Sequence, residues 1–151
     1  MAHESAMTPT RTGSASPAVA RYLGALFLFA AAAVHLHQYY AVYYRVIPVV
    51  GPLFLANAIL GVVLGLALLA PVQRLAAWLP GLAAVGGILF AAGTIIGLQI
   101  SETGTLFGFH EHGYRTAIVV SIAVEGAAIV SLAAYLVGSW ASRDHPTAPP
   151  A

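Results

Sequence analysis

Four of the six histidines fall in two His-x-His pairs, His35-Leu-His37 and His110-Glu-His112. Imidazoles in such numbers bind transition metals or haem iron, or pass protons. Spacing limits what each pair can do. On a helix, positions i and i+2 point about 200° apart, so His35 and His37 cannot both face one ion while their helix stays regular. In an extended segment the same spacing puts both rings on one side, and His110 and His112 can then chelate together. Three ligands from His35, His110 and His112 suit zinc or copper(II). Two, His35 with either of the others, suit haem b, with Arg45 or Arg115 at the rim near its propionates. The plain alternative is a set of interfacial histidines bonded to loop carbonyls and water. His3 and His145 lie in polar tails and carry no signal.

Around these histidines the sequence gathers Gln38, Asn57, Gln99, Glu102 and Glu111. Glu125 stands apart, in the middle of the last apolar run, with Ser121 one turn before it. Polar groups are costly at membrane depth, so their collection in an apolar chain invites a functional reading. Glu125 can serve as a proton relay, an ion ligand or hydrogen-bonding glue between helices.

Other chemistry is excluded. With no Cys there is no disulfide, thiolate metal site, iron–sulfur cluster or cysteine nucleophile. Met1 and Met7 are the only methionines, so no thioether copper site lies within the apolar runs. No Gly-rich phosphate loop, HExxH or Gly-x-Ser-x-Gly motif occurs. The six basic residues are all Arg and are scattered, and the net charge is +1, so no nucleic-acid partner is expected.

The elements that must position these residues follow from composition. Of 151 residues 60% are hydrophobic and 7% charged, too few charges to wet a soluble surface. Four apolar runs, roughly 19–38, 52–70, 80–100 and 116–137, each approach the ~20 residues that cross a ~30 Å hydrocarbon core as a helix. Pro52 and Pro80 sit where a helix first turn tolerates a missing N–H. Tyr39, Tyr40, Tyr43 and Tyr44 share one helical face and extend the first helix to about Arg45, in the headgroup belt. Residues 1–17 and 139–151 read as disordered tails around a single domain of 18–138. The rival for the first run is a secretory signal peptide, cleaved near Ala33; the polar stretch before it and the aromatic sequence after it speak against that.

Small residues supply helix packing where lipid removes the hydrophobic drive. Gly61 and Gly65, and Gly93 and Gly97, are spaced for close approach, within the chain or against a second copy. Arg11, Arg21, Arg74 and Arg143 fall on one side of a four-span topology, Arg45 and Arg115 on the other. That balance puts both termini in the cytoplasm.

The stretch from His35-Leu-His37 through Tyr44-Arg45-Val-Ile-Pro48 to Gly51-Pro52-Leu-Phe-Leu resembles small four-helix membrane proteins of high-GC Gram-positive bacteria. So does the stretch from Gly104-Thr-Leu-Phe107 through Phe109-His-Glu to Glu125. The architecture is also loosely similar to DoxX-like proteins. The resemblance implies a four-helix bundle in the plasma membrane and no particular activity. The expectation is thus an all-α, four-transmembrane-helix bundle in contact with lipid and open to a homo-oligomeric or other membrane-protein partner. An accessory or structural subunit is the favoured role. A haem- or metal-binding redox protein and a conduit for protons or small solutes past Glu125 are the alternatives.

Overall fold

Long apolar stretches free of interior proline become helices here because every backbone polar group must be bonded within the segment when water is absent. The computed structural model describes residues 16–71, 76–113 and 115–143. It contains α1 (Pro17–Ala41), α2 (Val50–Leu69), α3 (Leu79–Thr103) and α4 (Thr116–Ala141). All four are long and apolar enough to span a membrane. The chain is an all-α, multi-pass membrane protein. The expected tails lie mostly outside the described residues, although residues 139–141 complete the last turn of α4.

α1 packs beside α2 and α4, α3 packs beside the same two, and α1 and α3 are diagonal. The end of the bundle nearer the termini is filled tightly. Leu28, Leu68 and Leu132 are fully buried there among Ala25, Ala84 and Ala128. Leu132 reaches over Gly24 and Gly87; a Cβ on Gly87 would lie 2.7 Å from it. In lipid this interdigitation, rather than water exclusion, holds helices together.

The two small-residue pairs part company. A Cβ on Gly61 would meet Ala32 and the Leu28 carbonyl at 3.1 Å, and one on Gly65 would lie 2.7 Å from the Phe29 ring. The α2 pair therefore seats α1. Of the two placements their spacing allows, Gly93 and Gly97 do not take the one within the chain. A Cβ on Gly93 would meet nothing within 4 Å, and one on Gly97 only Leu106 at 3.7 Å.

At the distal end, opposite the termini, the connections fold inward. α1 stops at Ala41, short of Arg45, because Tyr43 turns left-handed (φ 73°) and Tyr44–Val46 form a 3-10 turn. The break separates neighbours that a continuous helix would keep on one side: Tyr43 is 71% exposed and Tyr44 only 4%. Gly51 permits this, since a Cβ there would lie 2.7 Å from the Tyr44 carbonyl oxygen. Between α3 and α4, Phe107 and Gly108 both take positive φ in a tight turn closed by paired Leu106–Phe109 hydrogen bonds of 2.8 and 3.0 Å. The Glu111 amide then donates to the Ser101 carbonyl at 3.0 Å, pinning the loop to the end of α3.

Leu at Gly61 or Gly65 should therefore lower bundle stability in detergent by about 1–3 kcal/mol through overpacking, while Leu at Gly93 leaves the melting temperature near wild type. Thermal melts of the three variants check this.

Candidate functional site

Glu125 lies nine residues into α4, and burial leaves it 2% exposed. An unpaired carboxylate at that depth is costly. Its partner is His35 on α1: Nε2 lies 3.0 Å from Glu125 Oε1, and the Ser121 hydroxyl donates to the same oxygen at 3.2 Å. These two hydrogen bonds satisfy the buried carboxyl oxygen at a depth where water is absent. Phe54 and Phe90 meet the His35 ring edge-on, with centroids 5.4 and 6.1 Å away, and fix its orientation.

This pair lines a cavity of about 390 Å³ between the helices, within the roughly 300–1,000 Å³ of small-molecule sites. Most of its wall is apolar: Val34, Leu53, Phe54, Leu60, Leu89 and Phe90 are representative. Gln38, one helical turn from His35 on the same face, also lines it. Gln38 is 3% exposed, and its Oε1 has no hydrogen-bond partner among the described residues. An orphaned buried amide oxygen costs about 1–3 kcal/mol, so it marks a place where a donor belongs. Asn57, half-buried on α2, lines it too.

A polar latch closes the distal end of the cavity. Tyr44 donates its hydroxyl to Glu111 Oε2 and accepts from Arg115, whose Nη2 also reaches both Glu111 oxygens at 3.1 Å. The Tyr44 ring stacks on Phe54, with centroids 4.5 Å apart and planes 9° from parallel, and meets Phe109 edge-on. Burial raises the Tyr44 pKa well above its ordinary value, and the hydrogen bond to Glu111 and its charge add to the effect.

The expected histidine cluster does not assemble. His35 is buried with Glu125, whereas His110 and His112 are exposed, ring centroids 4.5 Å apart, with His110 Nδ1 bonded to the Gly104 carbonyl. Alternation in the extended loop explains it: the two histidines share the outer side, and Glu111 between them points in. Among the described residues no three His, Cys, Asp or Glu side chains group as a metal site requires. Of the other residues singled out, Ser121 and Asn57 line the cavity, as do Gly93 and Gly97, while Gln99 and Arg45 are exposed outside it. The spacing of residues misses both the His35–Glu125 pair and the Tyr44–Glu111 bond. The available signal was depth: a mid-span carboxyl needs a donor on a neighbouring helix, and His35 is one of few.

The latch makes a pH prediction. A group whose pKa is raised on folding contributes stability that is intact below its unfolded value and is lost as pH climbs toward the folded one. The distal end should loosen above about pH 10. Between about pH 9 and 11, wild type should lose more melting temperature than Tyr44→Phe, which has no phenol to ionise; equal losses would remove Tyr44 from the account.

The chain matches no protein-family model, no curated protein and no solved structure, so this geometry alone carries the functional reading.

Proposed function

We propose that the protein binds a small, uncharged and largely apolar molecule inside the membrane, with the molecule's polar head at the His35–Glu125 pair. The observation that carries this is one apolar cavity holding a paired His–Glu and an unsatisfied Gln38 oxygen at one wall. Apolar lining with a few placed polar groups is how small-molecule sites select and orient a ligand. A purely accessory or structural bundle has no need of a buried, hydrogen-bonded His–Glu pair beside an open volume; facing leucines would serve it better. Proton or solute passage is less well supported, because toward the termini the described core beyond Glu125 is Leu28, Leu68, Ala128 and Leu132. Among the described residues His35 is buried with Glu125 while His110 and His112 are exposed, which gives the haem and metal readings little support. The Arg distribution supports both termini lying in the cytoplasm, and the plasma membrane is what the sequence resemblance implies.

Solvent extraction of the detergent-purified protein, followed by mass spectrometry, tests the proposal. Wild type should release a neutral lipophile in near-stoichiometric amount. The double variant His35→Leu with Glu125→Leu removes both partners and orphans neither, and it should retain at least about tenfold less, a loss of ~1.4 kcal/mol or more in binding. The same molecules in the same amounts from both proteins would refute the reading.

A further inference from the structure

The walls of the cavity are unequally covered. Those of its lining residues that are exposed are Leu53 and Leu60 on α2 and Leu89 and Gly93 on α3. Leu89 is 68% exposed, and Leu53 and Leu60 are 38% and 44%. On α1 and α4 every lining residue is buried or half-buried. The distal end is shut by the Tyr44–Glu111–Arg115 latch and Phe109. The volume therefore opens sideways, between α2 and α3.

Gly93 sits at the sill of that opening. It is the fifteenth residue of a 25-residue helix, about 21 Å from one end and 15 Å from the other, hence at acyl-chain depth. A glycine inside a helix costs about 1 kcal/mol relative to alanine, and no neighbour demands one here, since a Cβ would meet nothing within 4 Å. What the missing side chain leaves is room beside the cavity.

We infer that the cavity takes up and releases its ligand laterally, from the lipid, through the α2–α3 gap whose sill is Gly93, and that the ligand is a neutral lipophile ending in a hydroxyl. This rests on the binding reading above. A charged molecule would pay heavily to reach a mouth among acyl chains. A hydroxyl both donates and accepts, so it satisfies the orphaned Gln38 amide in either orientation of that group.

The test uses pyrenebutanol, an apolar body with one hydroxyl, loaded into the full-length protein in nanodiscs; its release into excess probe-free vesicles is followed over time. Gly93→Phe and Leu60→Phe place rings in the gap, and Val130→Phe, on the exposed face of α4, is the control. The first two should slow release at least about tenfold, with uptake slowed in parallel so that Kd changes less than the rates, while Val130→Phe matches wild type. Melting temperatures near wild type for all three show that the bundle is intact, and Leu60→Phe keeps the test alive if Gly93→Phe misfolds. Wild-type release from both gap variants, with faster release from Arg115→Ala, would overturn the lateral route in favour of the latch. If wild type fails to retain the probe, or retains it equally after His35→Leu with Glu125→Leu, the binding reading itself falls, and the lateral route with it.

Discussion

A carboxyl group near the middle of a bilayer must be matched by a partner at its own depth, and in this bundle that requirement joins the first helix to the last. The 3.0 Å contact between His35 and Glu125 sets how far α1 and α4 can slide along one another, because a shift of one turn, ~5.4 Å, would strand both groups in an apolar surround. The same contact brings a polar group to the wall of the cavity between the helices. Register, depth and chemistry thus share one hydrogen bond.

The two ends of the bundle answer to different constraints. Toward the termini, glycines on α1, α2 and α3 let leucines and Phe29 fill the interior, giving the close contacts that stand in for the hydrophobic effect in lipid. Toward the distal end the same residue type does the reverse: Gly93 and Gly97 face open volume. Above that volume the chain folds two connections inward and ties them with Tyr44, Glu111 and Arg115. This arrangement shields the cavity from the aqueous side while leaving its α2–α3 flank to lipid.

The sequence makes the architecture plain, because four runs of near-span length with so few charges allow no soluble alternative. Glu125 and Ser121 are also legible as a mid-span polar step, since their four-residue spacing puts them on one face. The histidines mislead because identity and spacing say nothing of direction once the helix ends: in the extended loop Glu111, rather than its flanking histidines, points inward. Tyr44 is missed for a similar reason, since one left-handed residue at Tyr43 undoes a helical face that four tyrosines otherwise describe. Glycine spacing is ambiguous by nature, because a missing side chain serves a close contact and an open space equally well. Gly61 and Gly93 are told apart only by what lies across from them.

The central claim is the bonded His35–Glu125 pair inside the lipid-embedded bundle, and solid-state NMR of the protein in bilayers measures it directly. With the His35 ring ¹⁵N-labelled and the Glu125 carboxyl ¹³C-labelled, dipolar recoupling should place Nε2 within about 4 Å of the carboxyl carbon, as a hydrogen bond near 3.0 Å to its oxygen requires. A separation beyond about 6 Å, too long for any direct hydrogen bond, would contradict the account.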